Sequence, residues 1–195
     1  LLDGEPLRLR TPHDAVAKGI GLVPEERRTQ GVVIDQSIDF NMNLPSFRSL
    51  RWAPWVPLLK LVEGRRRAEE VAARLQVKMS DVAAPVTQLS GGHQQKVVIG
   101  KWVMRKPRVL ILDEPSRGVD VGARAEIHHI VRELADDGAG VIVISSEVEE
   151  LEGLCDRVLV MAEGKVVASL SGDEINKESM VSLSYLHAAN GNGVT

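Results

Sequence analysis

Ser90, Gly91 and Gly92 stand at the head of a helix-forming run, and Asp113 and Glu114 close the apolar run Val109-Leu110-Ile111-Leu112. At a helix start the backbone N–H groups have no intrahelical acceptor and the helix dipole adds partial positive charge, so an anion such as a phosphate is held there. Glycine lets the anion approach, because a Cβ would hold it away. A carboxylate at the C-terminal end of a buried parallel strand lies where open α/β sheets place ligands, and Asp113 there suits Mg²⁺. Glu114, one peptide further on, is placed to act on a water beside that metal. Taken singly, Ser-Gly-Gly also reads as a helix cap with a turn, and Asp-Glu-Pro as a solvated loop. Together they read as nucleotide-hydrolysis machinery.

The pattern around these residues predicts an α/β chain. Leu1 to Arg10 reads as two short strands around a turn, Pro12 to Lys18 as a helix capped by Thr11, and Ile20 to Val23 as a strand ended by Pro24. Residues 31–106 lack strand alternation and predict a helical region. Ala68, Val71, Ala72 and Leu75 follow helical spacing there, with Arg65-Arg66-Arg67 and Glu69-Glu70 turned to solvent. Trp52, Trp55 and Leu58, set among Pro54 and Pro57, form an apolar patch in a poor helix context, which core packing would explain. A helix from Gly92 to Met104 buries Val97, Val98, Trp102 and Val103 and is stopped by Pro107. Ile127, Ile130, Val131 and Leu134 mark the next helix, with His128 and His129 facing different directions on it, and Val141 to Ile144 a further buried strand. Arg157 to Met161 and Val166 to Leu170 predict a strand pair turning at Gly164, with a last helix over 173–184 and a frayed tail over 187–195.

Composition bounds the reading. The 195 residues, 44% of them hydrophobic, suit one domain with its own core, and a net charge of −3 makes no case for a nucleic-acid surface. No apolar run is long enough to span a membrane. The single Cys155 excludes an internal disulfide framework and reads as a small buried residue.

The motifs resemble the ATP-binding-cassette (ABC) ATPases. Leu89 to Gln94 is similar to their LSGGQ signature with His93 inserted, Val109 to Glu114 to the Walker B strand and catalytic glutamate, and Ser116-Arg117-Gly118-Val119-Asp120 to the D-loop. LSGGHQQKVVIGKW, LDEPSRGVDVGARAEIH and ISSEVEELEGLCDRVLVMAEGKVV resemble the C-terminal cassette of tandem ATPases that drive bacterial import of ribose, galactose, xylose and related monosaccharides. The resemblance runs from Gly4 to about Ser184. It implies a P-loop NTPase-type core with a helical subdomain at about 31–106 and a Walker B and D-loop core at about 107–184. It implies ATP and Mg²⁺ as ligands, Glu114 as the catalytic residue, and Asp113 on the metal. Ser90, Gly91, Gly92, His93, Gln94, Asp120, Glu25 and Ser146 are the residues expected around the nucleotide.

The chain departs from the family pattern in three places. A P-loop needs G-x-x-x-x-G-K-S/T, and no segment of the sequence has it; the Gly-Lys pair Gly164-Lys165 has Leu159 where the first glycine should be and is better explained as a hairpin turn. The sequence therefore reads as a cassette cut downstream of its Walker A motif. Glu25 stands where the family usually has its Q-loop glutamine, and a solvated turn residue within Glu25-Glu26-Arg27-Arg28 is an equal reading. Ser146 occupies the position of a histidine that contacts the γ-phosphate, and a hydroxyl cannot become a cation. Because two cassettes of the family dimerise head to tail, Ser90, Gly91 and Gly92 are expected to complete the ATP site of a partner, either an N-terminal cassette of the same polypeptide or a second ATPase chain. The other implied partners are a transmembrane permease, whose coupling helix Trp52 and Trp55 could receive, and indirectly a periplasmic sugar-binding protein. The implied location is the cytoplasmic face of the inner membrane. A nucleoside importer ATPase and a non-catalytic interaction module are the rival functions; the isolated chain is expected not to hydrolyse ATP.

Overall fold

The computed structural model describes residues 1–53, 55 and 58–190. They form two compact units, Leu1–Ile144 and Ser145–Thr195. Pro54 and Pro57, which the sequence reading set beside the tryptophans, lie outside the described residues, as does the end of the expected tail at 191–195.

The first unit is built on three parallel strands, β1 (Ile20–Val23), β2 (Val109–Asp113) and β3 (Gly140–Ile144), in the order β1-β2-β3. Leu22, Ile111 and Ile142 share one register line across the sheet. Helix α1 (Pro12–Ala17) leads into β1. Its start is fixed by a capping box in which the Thr11 hydroxyl accepts from the Asp14 N–H and the Asp14 carboxylate accepts in return. Between β1 and β2 come a short π-helical turn (Arg27–Gly31), α2 (Ile38–Asn43), α3 (Leu61–Arg74) and α4 (Gly91–Val103). Helix α5 (Val121–Asp136) joins β2 to β3, and Ile127, Ile130, Val131 and Leu134 are all buried on it, as their spacing predicts. The arginine run on α3 is a solvated face: Arg66 pairs with Glu70, Arg67 with Glu63, and Arg65 with both Glu69 and Asp81. Such pairs stabilise a helix by only a few tenths of a kcal/mol each, about 0.2–0.5.

Helix α4 departs from its amphipathic expectation, because it is buried nearly all round. Gln94, Gln95, Lys96 and Lys101 are enclosed together with Val97, Val98, Ile99 and Val103. It packs against α2, α3, α5 and β1, so no side of it is left for solvent. Each buried polar group then needs a partner. The Gln94 amide donates to the carbonyls of Val86 and Leu89, Lys101 Nζ to that of Gly31 at 2.7 Å, and the half-buried Trp102 indole N–H to that of Leu22 at 2.8 Å. Lys96, 1% exposed, pairs with Glu126 on α5 at 2.5 Å.

Three other expectations are corrected. Leu1 to Arg10 forms no strand, only an isolated bridge between Leu2 and Glu5 around Asp3 and Gly4, both at positive φ; so short a pairing has no neighbouring strand to extend it. Strand β3 is not buried, since Ile142 and Ile144 remain 51% and 49% exposed. The helices cover one face of the sheet, where Val23, Leu110 and Leu112 are enclosed, and Leu22, Ile142 and Ile144 lie on the other. Trp52 and Trp55, read as core, are 67% and 83% exposed.

The second unit pairs β4 (Arg157–Ala162) with β5 (Lys165–Ser171) antiparallel, between α6 (Val148–Leu154) and α7 (Lys177–Asn190). Glu163 and Gly164 both have positive φ and form the two-residue turn between Ala162 and Lys165, the hairpin expected at Gly164. Val158, Val160, Leu170, Ile175 and Met180 form its core, with half-buried Cys155 packed against them. Helix α7 continues past His187 to Asn190, where the sequence reading began a frayed tail.

Burial pushes the Lys101 ammonium down from 10.5 to about 8. Between those values the unfolded chain holds a proton that the folded chain has released, so Lys101 makes stability rise with pH across that window. The stability of Lys101→Met relative to the parent, measured by denaturant unfolding, should therefore be highest below pH 8 and fall as pH approaches 10.5. A difference that stays constant over this range would contradict a desolvated ammonium at this position.

Candidate functional site

Three segments of the first unit make up the candidate site, and two of them, the start of α4 and residues 116–120, lie against each other. The first is the start of α4. Ser90 is its N-cap, with extended backbone angles of −63° and 162°, yet its side chain makes no capping hydrogen bond. An exposed hydroxyl and the unpaired N–H groups of the first turn thus lie together, a combination suited to an anion. Gly91 and Gly92 have a further reason to be glycine. A Cβ on Gly91 would stand 2.7 Å from Arg27 Nη2, and one on Gly92 would stand 2.6 Å from Ala123 Cβ. The close approach is to the protein's own guanidinium and to α5, in addition to whatever anion the turn accepts.

His93 and Gln94 follow, and the structure sends them to different tasks. Nδ1 of His93 accepts from the Lys78 N–H at 3.4 Å. Burial holds this imidazole below the ordinary histidine value, and the neighbouring Lys96 charge acts in the same direction, so it is neutral at physiological pH. Gln94 is turned inward onto the turn that precedes α4, leaving its Oε1 buried without a partner.

The second segment is the end of β2. Asp113 is the last residue of the strand, opposite Ile144, and half-buried. Glu114 turns away from the ladder in the left-handed region at φ 46°, while its N–H still donates to the Ile144 carbonyl at 2.8 Å. A bulky residue held there is strained by about 1–2 kcal/mol, and such strain concentrates at functional positions. Among the described residues no cluster of three or more His, Cys, Asp or Glu could hold a metal ion. Asp113 therefore fits Mg²⁺ only as one ligand among several, the way this ion is held when phosphate oxygens and water complete its shell.

The third segment is residues 116–120. Ser116 is buried, with its Oγ 3.4 Å from His128 Nε2. Gly118 takes positive φ, and Asp120 caps α5 by accepting from the Ala123 N–H at 2.9 Å. Glu25 reaches this segment from the end of β1 and forms an ion pair with Arg117. Its negative charge is thus matched by a cation of the protein.

The structure brings Ser90, Gly91, Gly92, Glu25 and Asp120 into this network and sets Asp113 and Glu114 at the strand end beside it. Ser146 is exposed and belongs to the second unit. Sequence reasoning missed Arg27, which donates to the carbonyls of Arg117 and Gly118. A contact spanning some ninety positions leaves no periodic signal. Lys96 and Lys101 were missed as well, although two lysines flanking the apolar run Val97-Val98-Ile99 were a legible anomaly.

Strain at Glu114 is measurable apart from any chemistry. Glu114→Gly and Glu114→Ala lose the same carboxylate, but only glycine adopts the left-handed conformation freely. The glycine variant should exceed the alanine variant by about 1 kcal/mol in unfolding free energy; equal stabilities would show that the backbone stores no strain.

Comparison with known proteins places this geometry. The ABC transporter family profile matches residues 1–117. Among curated relatives, the ribose import ATP-binding protein RbsA of Chelativorans sp. (strain BNC1) is 52% identical over 94% of this chain and 36% of its own length. The putative ribose/galactose/methyl galactoside import ATP-binding protein 1 of Rhizobium meliloti (strain 1021) is 45% identical over 96% of this chain and 37% of its own. The chain thus spans little more than a third of these relatives. Among solved structures, a dimeric ATP-binding cassette in a post-hydrolysis state bound to ADP and Pi aligns over 84% of this chain and 68% of its own, with TM-score 0.69 at 21% identity. A nucleotide-free cassette from an ABC transporter aligns over 88% of this chain and 68% of its own, with TM-score 0.71 at 21% identity. The fold is that of an α/β ABC cassette, and since the family profile takes in more than half of its residues, this chain belongs to the ABC transporter family.

Proposed function

We propose that the chain is part of the ATP-binding subunit of a bacterial ABC importer, an ATPase that couples ATP binding and hydrolysis to uptake of a monosaccharide. The observation that carries this reading is the pairing of an uncapped helix start at Ser90 with the carboxylates Asp113 and Glu114 at the end of β2. The import functions in the relatives' names support the sugar class. The P-loop that the reaction requires comes from outside these 195 residues, and Ser90, Gly91 and Gly92 complete an ATP site whose P-loop belongs to a partner cassette.

The residues divide the work by chemistry. The Ser90 hydroxyl and the first N–H groups of α4 donate to γ-phosphate oxygens, holding them where negative charge gathers in phosphoryl transfer. Glu114 orients a water and accepts its proton. Asp113 holds Mg²⁺, which when bound neutralises phosphate charge. His93, neutral and already accepting at Nδ1, supplies an Nε2–H donor beside the same turn. Glu25, where the family resemblance expects a glutamine, is held by Arg117, so this cassette's own ATP site is the weaker of the two.

No described helix is long and apolar enough to cross a membrane. The exposed Trp52, Trp55, Leu58, Leu61 and Val62 form the apolar surface on the helical subdomain that we assign to a transmembrane permease at the cytoplasmic face. A periplasmic sugar-binding protein acts only through that permease.

The experiment is ATP turnover and transport by the assembled importer with single replacements in this chain. Ser90→Ala should lower turnover more than Glu114→Gln, because Ser90 serves the stronger site. Trp52→Ala with Trp55→Ala should reduce sugar uptake while leaving the chain's stability within about 0.5 kcal/mol, as for other exposed positions. The reverse order for Ser90 and Glu114 would refute the asymmetric assignment, and unfolding of the tryptophan variant would refute docking.

A further inference from the structure

Arg27 is where three segments of the first unit meet. It opens the π-helical turn Arg27–Gly31. Its Nη1 donates to the Arg117 carbonyl at 3.1 Å and its Nη2 to the Gly118 carbonyl at 3.4 Å. The same Nη2 lies 2.7 Å from where a Gly91 Cβ would stand. The guanidinium therefore fills the space between the first turn of α4 and the D-loop. Two residues upstream, Glu25 pairs with the Arg117 side chain, so the D-loop is gripped by backbone and side chain from one segment. The far end of the turn is tied to α4, because Lys101 donates to the Gly31 carbonyl at 2.7 Å.

We propose that Arg27 is a positioning residue, a strut that fixes the spacing between Ser90–Gly92 and the loop descending from Asp113 and Glu114. In the ATP reading above, on which this proposal rests for its consequence, the two segments then present their groups at constant separation. Arginine suits the task chemically. Its planar fork offers donors to two successive carbonyls at once and stays charged, whereas a lysine ammonium is a single point on a flexible stem. The strut also gives Gly91 a structural reason to be glycine, since a methyl group there displaces the guanidinium.

Two measurements test the strut. Hydrogen exchange on the full chain without nucleotide reads the positioning itself. Arg27→Ala and Arg27→Lys should both speed exchange at the amides of residues 117–120 by about ten-fold, the scale of one lost charge-assisted hydrogen bond. Turnover by the assembled importer reads the consequence. Arg27→Ala should lower kcat with KM for ATP changed less than about two-fold, the split expected when alignment and not ground-state binding is lost. In the exchange experiment, Gly91→Ala should speed exchange at residues 117–120 in the parent and add little in the Arg27→Ala background, where its methyl group enters vacated space. Unchanged exchange at 117–120, or independent effects of Gly91→Ala and Arg27→Ala, would overturn the proposal. A parent that shows the exchange difference but no turnover in any assembly would overturn the ATP reading and leave the strut standing.

Discussion

The enclosure of α4 is the constraint on which the first unit depends. A helix buried on every side cannot hide its polar side chains in solvent, and an unpaired buried polar group costs about 1–3 kcal/mol. Four of its polar side chains accordingly reach partners on neighbouring segments. Gln94 holds the turn before the helix, Lys96 holds α5, Lys101 holds the turn after β1, and Trp102 holds β1 itself. These bonds tie the helix to the turn before it, to α5, to β1 and to the turn that follows β1. Ser90, Gly91 and Gly92 are consequently presented by a rigid body, the condition under which hydrogen-bond donors stabilise developing charge without reorganising.

The same tight packing explains why so many site residues have two duties. Gly91 and Gly92 leave room for Arg27 and Ala123 as well as for an anion. Asp120, expected beside the nucleotide, caps α5, and Glu25 matches Arg117 where the family resemblance expects a glutamine. At Glu114 the packing works against the backbone, which is held in the left-handed region while its N–H stays in the sheet. A carboxylate aimed by strain at the strand end is a group whose position the fold over-determines.

Elements whose signals are local were legible in the sequence. β1 ends where Pro24 predicts, α1 begins at its Thr11 cap, and the four apolar residues of α5 are buried as their spacing requires. The helix start at Ser90 and the strand end at Asp113 also stand where the residue types place them. What escaped was decided by tertiary context. The alternation that makes Ile142 and Ile144 look buried cannot reveal which sheet face the helices cover. Trp52 and Trp55 look like core on hydrophobicity alone and lie at the surface. Arg27 looked like one charge in a solvated turn, because its partners are far along the chain.

The central claim is that this chain offers the start of α4 to a nucleotide held by another cassette. The most direct measurement is a structure of the assembled ATPase trapped with ATP. The account predicts Ser90 Oγ and the Gly92 N–H within hydrogen-bond distance of the γ-phosphate of an ATP seated on the partner's P-loop. An ATP bound with the Ser90–Gly92 turn facing solvent or the permease would contradict it.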